Sequence, residues 1–444
     1  MSRVCTTPIA MMQAIEQEVA AKAENLTVFL NTVPKSVQLD TTGRNIIGVE
    51  VIQRTKTNTP PKNFTFLSEE IDDWYSRENS QQYNKQVLNF SGFKFIADMT
   101  SFGDLMVLSN ASYLQGIAEE FDGDVSGKGN DTCGQSFTFD FAETLYANET
   151  EDIPVPNPPN SPPINSSWFK HDGYTWQEVV TYRRVQAAAD EGSMFVVKAG
   201  DITVENWGQG NDQKWIYLFP TKQDTQAQIP DWKGGINKDA LIMAEALAVE
   251  YHRWFRNNAP ADWANRNVIS PVVMNTTTGL AKMPYLRDTR RSIGINDFLV
   301  TVKNISGTAE QVVGTIFEDR VGLGAYDVDI HGQQGCNYPA YMKNHYDILP
   351  YYIPFRALTN RDIDNMLVAG KTMATSFLAN AAFRLHPEEF TSGQAAGAAM
   401  AFAVENGIST STGIYERIKE VQEIVKKFTP LSWTINGTLY PPSQ

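Results

Sequence analysis

The alternation and clustering of apolar positions predict a series of elements along the chain. Between Pro8 and Asn25, Met11, Ile15 and Val19 recur every four residues, which predicts a helix with one apolar face. Leu26–Leu30 is a short apolar run and predicts a strand. Val37–Leu39 and Ile46–Ile52 flank Thr41-Thr-Gly-Arg44 and predict a hairpin. Residues 55–92 are polar and irregular and predict an inserted surface excursion, after which Phe93–Ala97 predicts another strand. Asp152–Trp168 carries six prolines and predicts a semi-rigid surface loop. Further on, Thr175–Arg184, Met194–Val197 and Trp215–Phe219 predict strands. Asn237–Asn257 predicts an amphipathic helix ended by Pro260, and Tyr415–Phe428 a last helix. No internal repeat is visible.

The chain is organised around Asp364–Gly407. Met366–Ala369 is an apolar run that stops at Gly370, the pattern of a buried strand and turn. Gly393–Glu405 is rich in alanine, with Ser392 placed to cap its start and Gly407 its end. Small residues on most faces let such a helix press against a sheet or a flat ligand. Gly393 would leave first-turn amides open, where the helix dipole favours an anion or a carbonyl. The same pattern also suits an ordinary buried alanine-rich helix.

Asn365-Met-Leu-Val-Ala-Gly-Lys371 followed by Ser392-Gly-Gln-Ala-Ala-Gly397 resembles the C-terminal flavin segment of FAD-dependent oxidoreductases of the glutathione-reductase-like FAD/NAD(P)-binding superfamily. Asp98–Leu105, Glu205–Asp212, Met283–Arg291 and Gly324–His331 match one bacterial-type branch of it, so the resemblance runs from about residue 90 to 408. It implies an α/β fold: a Rossmann-like FAD/NAD(P)-binding domain in two pieces, residues 1–110 and 356–444, around an inserted β-rich substrate domain at 111–355. It implies FAD as cofactor, contacted by Thr100, Gly103, Asp104, Gly370, Lys371, Gly393, Gln394 and Ala395. It further implies hydride transfer from a small organic substrate to the flavin.

The chain departs from that family in two places. No Gly-x-Gly-x-x-Gly fingerprint precedes Asp98, so the first βαβ unit, with its phosphate-binding turn and ribose-binding acid, is not found. An upstream segment or a partner chain would have to supply it, or the fold has been kept by a cofactor-free binding or structural protein. Glu388 and Glu389 also stand where relatives often carry apolar or small residues.

Charge and cysteines narrow the picture. Over 444 residues the formal net charge is −14, which disfavours nucleic-acid or anionic-membrane partners. No apolar run is long enough to span a bilayer. Cys5, Cys133 and Cys336 lack metal-ligand spacing and admit one disulfide. Asn-x-Ser/Thr occurs at Asn25, Asn63, Asn89, Asn110, Asn130, Asn148, Asn165, Asn275, Asn304 and Asn436, an excess that suggests the secretory pathway. An Asn- and Thr-rich cytoplasmic protein is the alternative, and Met1–Ala10 has no signal-peptide pattern.

A substrate oxidised by hydride loss usually needs a base for its O–H or N–H proton. His386, in Arg384-Leu-His-Pro-Glu-Glu389, is the first candidate, with ordering of its loop as the plain alternative. His331, ending Asp327-Val-Asp-Ile-His331, is the second. Arg287, Arg290 and Arg291, with Arg384, are candidate substrate-binding residues, because a guanidinium fork suits carboxylates and phosphates. An internal salt-bridge network is the alternative role for Arg287–Arg291. His252 reads as a packing residue, and no metal site is expected.

Overall fold

The computed structural model describes residues 6–59, 62–186 and 196–441, and they form a mixed α/β structure. Helix α1 (Pro8–Ala20) starts where the Thr7 side chain accepts the Ala10 amide, with proline in its first turn. None of its residues is buried, and Met11, Met12 and Ile15 face solvent. Leu26–Leu30, expected as a strand, is coil that ends in a turn at Leu30, outside the sheets, and its residues are exposed. Apolar character alone does not make a strand; the ladder partner is taken by the segment that follows.

That segment is β1 (Thr32–Leu39), which pairs with β2 (Ile46–Lys56) in the expected hairpin, Val37 opposite Val49. The Asp40 carboxylate accepts the Thr42 and Arg44 amides in the turn. The irregular excursion expected over 55–92 is corrected by two elements. Helix α2 (Leu67–Trp74) buries Leu67, Ile71 and Trp74, and β3 (Tyr83–Ser91) extends the sheet antiparallel from Gly48↔Ser91 to Lys56↔Tyr83. Most of β3 is solvent-exposed, so its sequence never shows a clean apolar alternation. The strand expected at 93–97 is β4 (Ile96–Asp98), shorter and shifted; α3 (Asp104–Leu108) follows.

The next stretch builds a four-stranded antiparallel sheet from β5 (Phe141–Leu145), β6 (Arg184–Gln186), β7 (Ile202–Glu205) and β8 (Asn267–Ile269), in the order β8-β5-β7-β6. Within it, Thr175–Arg184 is not a strand: α4 (Trp176–Tyr182) opens with a Thr175/Glu178 capping box and buries Trp176, Val179 and Val180 on one face. Val196 and Val197 are coil, and Met194 and Phe195 lie outside the described residues. Trp215–Phe219 is irregular too. Helix α5 (Lys238–Asn257) forms as expected, capped by Asn237.

The last third holds the hairpin β9 (Arg320–Gly324) and β10 (Tyr351–Pro354), then β11 (Met366–Val368), α6 (Phe377–Phe383), α7 (His386–Glu405), α8 (Ser411–Glu416) and α9 (Ile418–Val425). The single helix expected over 415–428 is therefore two, parted at Arg417 (φ −111°). Two main cores result. One joins β2, α2 and α3 to Phe137, Phe141, Trp232 and α5; the other joins β9–β10 to α6, α7 and α9. The cores thus cut across the sequence-based division at 355/356.

Cys133 and Cys336 are disulfide-bonded across 203 residues of sequence, and Cys5 lies outside the described residues. Nine of the ten Asn-x-Ser/Thr asparagines are exposed. The other, Asn304, is half-buried, with its side-chain oxygen accepting from Thr301. Among the described residues, no helix is long and apolar enough to cross a membrane, and no cluster of His, Cys, Asp and Glu could hold a metal ion.

Strands β4 and β11 form a parallel pair, Ile96↔Met366 to Asp98↔Val368. The Ile96 amide donates to Asn365 O and the Ala369 amide to Asp98 O. In such a ladder the alternate residue, Ala97, turns its N–H and C=O to the opposite edge. That edge borders an apolar cavity of about 400 Å³ lined by Val33, Val49, Val51, Phe93 and Phe95.

Candidate functional site

The parallel pair delivers two loops to one place. Residues Met99, Thr100 and Ser101, after β4, and Ala369, Gly370 and Lys371, after β11, line a cavity of about 300 Å³ together with Glu389 of α7. Gly370 adopts φ +67°, a left-handed turn glycine makes without strain, and its amide donates to Ser392 Oγ at 2.9 Å. Ser392 in turn donates to Glu389 O at 3.0 Å, so this serine ties helix to loop.

The start of α7 corrects the sequence reading. The helix begins at His386, with Leu385 at the N-cap position, proline in the first turn, and Glu388 and Glu389 there as well. Gly393 therefore sits inside the helix, where the helical ladder turns its amide and that of Gln394 to preceding carbonyls. Ser392 is not the cap. Ala395 is fully buried in the second core, and the Gln394 side chain accepts the Thr429 hydroxyl at 2.9 Å. The open feature is instead a smooth strip: added Cβ atoms at Gly393 and Gly397, one turn apart, would meet nothing within 4 Å.

On the other side of the cavity, Thr100 Oγ1 donates to Asp98 at 2.7 Å and accepts the Asp104 amide at 2.9 Å. Asp104 is buried and accepts Trp232 Nε1 at 2.7 Å. Burial, then the nearby Asp98 charge, push its carboxyl up to about 6. Gly103 is at φ +67°, and a Cβ there would lie 2.9 Å from Met106 Cε. These residues form the frame under the loop. Arg290 supports it as well, donating to Phe102 O at 2.7 Å and to Gly235 O, fully buried against Phe219. Arg291 is equally buried and pairs with Glu119 at 3.1 Å.

A row of charges leads away from the cavity. His386 Nδ1 lies 2.9 Å from Glu389 Oε2, and Lys371 Nζ 2.9 Å from Glu389 Oε1. Burial would raise the Glu389 carboxyl, but His386 and Lys371 outweigh it and hold it down at about 2. Lys371, Arg287 and Arg384 converge on Tyr285, at 5.4, 5.5 and 5.9 Å from its ring centre. Arg384 donates to the Tyr285 hydroxyl at 2.7 Å and to Asp329 at 2.9 Å. His331 places Nδ1 2.7 Å from Asp212 and Nε2 3.3 Å from Asp329, while Arg287 pairs with Asp212 at 2.8 Å. The hydrogen bond from His331 is the main reason the Asp329 carboxyl is held well below its usual range. The His331 backbone is pinned between the Gln135 side chain and the Ser136 amide, three residues from the Cys133 half of the disulfide.

The structure thus brings Lys371 and Gly370 together at one cavity and ties the exposed His386 to its lining residue Glu389. It joins His331, Arg384 and Arg287 around Tyr285, and sets Arg290 and Arg291 apart as internal braces. Tyr285, Asp212 and Asp329 were missed as site residues, although all three lie within stretches that carried the resemblance. His252 is more than packing: it sits buried between Glu143 and Asp152, each at 2.8 Å.

With a parallel strand pair ending in a left-handed glycine turn beside a small-residue helix, the chain is of the mixed α/β class. Within that class, the chain belongs to the FAD dependent oxidoreductase family, whose family model matches residues 84–425. FAD is the family's cofactor. No curated protein and no solved structure matches the chain. The residues present fit part of such a group: the side-chain-free strip at Gly393 and Gly397 leaves room for a flat ring laid against backbone.

Proposed function

We propose that the chain is the catalytic part of an FAD-dependent oxidoreductase acting on a small organic substrate, and that cofactor and substrate meet at the Gly370 cavity. The observation that carries this is the His386–Glu389–Lys371 array on its rim. Bound FAD supplies the ring that takes the substrate hydride. The chain's own residues position the substrate and accept its proton. In the neutral ring, a hydrogen bond from Nδ1 to Glu389 leaves Nε2 of this exposed side chain with a lone pair for a substrate O–H or N–H. His331, facing carboxylates with both nitrogens, is a hydrogen-bond donor that positions Asp329 against Arg384. Arg384, Lys371 and Tyr285 offer the donors for a carboxylate or carbonyl of the substrate.

Gly370, Lys371 and Thr100 would hold the near part of FAD, with Gly393 and Gly397 giving it room. An upstream segment or a partner chain docks along the free Ala97 edge and supplies the diphosphate turn. The exposed asparagines and the disulfide support a secretory route for the chain. The missing fingerprint supports a second reading, a cofactor-free binding protein that retains the fold.

The test is flavin reduction in the completed, flavin-loaded protein across a substrate panel. His386→Gln should slow the reduction rate about 100-fold and flatten its pH profile, with flavin absorbance retained. A parent-like rate would remove His386 from the chemistry. A completed protein that purifies colourless would promote the cofactor-free reading.

A further inference from the structure

A third cavity lies across the three-stranded sheet from the apolar one that Val49 and Val51 line. It measures about 690 Å³, sits between α2, β2 and the loop at residues 271–282, and shares no lining residue with the Gly370 cavity. Arg54 of β2 lines it. The residue is only 7% exposed, yet its Nε and Nη1 have no hydrogen-bond partner. Its guanidinium lies 4.4 Å from the ring centre of Trp74 and 5.9 Å from that of Tyr83. Ring faces stabilise a cation but give its N–H groups no oxygen to donate to. Of the nearby carboxylates, Glu70 is engaged by the Tyr83 hydroxyl and by Lys282, and Asp73 by Lys85 and the Ser80 hydroxyl.

The lining carries Arg54, Lys56 and Lys282 against Glu70 alone, three cations to one anion in a chain of net charge −14. Leaving buried donors unsatisfied is costly, more so for a charged group. Guanidinium forks are the protein group best matched to carboxylate and phosphate oxygens. Hydroxyl and amide side chains, including Thr65, Thr277 and Gln82, complete the wall.

We propose that this cavity binds a small oxyanionic ligand, a carboxylate or a phosphate monoester, whose oxygens accept from Arg54 and whose apolar part lies on Trp74. Lys56 and Lys282 add attraction at the mouth, where both side chains reach solvent. This site is separate from the oxidoreductase chemistry, so a ligand here regulates or anchors and does not react.

Calorimetric titration of the full chain at fixed ionic strength, with inorganic phosphate and succinate as probes and chloride as the control, tests it. Saturable binding of phosphate assigns the phosphate class, and of succinate the carboxylate class. Either should weaken at least about tenfold in Arg54→Gln, since a hydrogen bond to a charged group carries that much. The exposed Lys56→Gln should weaken it by a smaller factor with unchanged melting temperature, which keeps the test open if Arg54→Gln folds poorly. No saturable binding of either probe, or parent-like affinity in both variants, would overturn the proposal.

Discussion

Arg291→Leu is expected to destabilise the fold by about 3–5 kcal/mol, because it strands a buried carboxylate. Arg291 and Glu119 are both fully buried, 3.1 Å apart. Arg291 also donates to Gly116 O at 2.7 Å and Thr375 O at 3.2 Å, and Glu119 accepts the Phe377 amide at 2.8 Å. One pair therefore knits the loop after residue 116, the segment at 291 and the start of α6. Burial already pushes the Glu119 carboxyl upward against the pull of Arg291; without the arginine that push is unopposed and only the Phe377 amide still donates to the carboxyl. Denaturant midpoints for parent, Arg291→Leu and the double variant with Glu119→Leu measure this, and the double variant should recover part of the loss. A single variant within about 1 kcal/mol of parent would undo the bracing role and return Arg291 to the substrate-binding residues.

Removing the disulfide is expected to cost a similar amount. Cys133 and Cys336 close a loop of 203 residues, and chain-entropy reasoning gives about 5 kcal/mol for a loop of that order. The bond also fixes the segment that carries His331: the Tyr338 hydroxyl donates to Gly134 O, and the Gly134 amide to Gln333 Oε1 at 2.9 Å. Cys133→Ser/Cys336→Ser should lower the denaturant midpoint and speed amide exchange over residues 329–338, leaving α5 unchanged. Equal midpoints would show that the bridge does not constrain the chain. Peptide mapping of native protein adds a check on the secretory route: free thiols and unmodified asparagines at the exposed positions would count against it.

Much of the fold was legible where local signals agreed. The β1–β2 hairpin announced itself through the Thr41-Thr-Gly-Arg44 turn, and α5 through its amphipathic pattern and its stop before Pro260. Where signals conflicted, the wrong one was weighted. Val179, Val180 and Thr181 suggested a strand, but the Thr175/Glu178 capping box and the spacing of Trp176, Val179 and Val180 belong to a helix. Ser392 looked like a cap, while the His386-Pro-Glu-Glu389 start was the stronger helix signal. The site was half legible. Its histidines, arginines and glycines could be picked out by type. Its organisation could not: Arg384 meets Tyr285 across 99 residues and His331 meets Asp212 across 119, contacts that only the packed sheets create.

The free edge at Ala97 also governs how this chain behaves before it does any chemistry. An uncovered strand edge beside an apolar hollow is a template for any passing backbone, including that of a second copy. Any segment that covers it during biosynthesis competes with self-association and with chaperones that recognise bare apolar surface. On the proposal that a further segment docks there, the timing of that encounter, and not only its final affinity, sets how much of the chain escapes self-association.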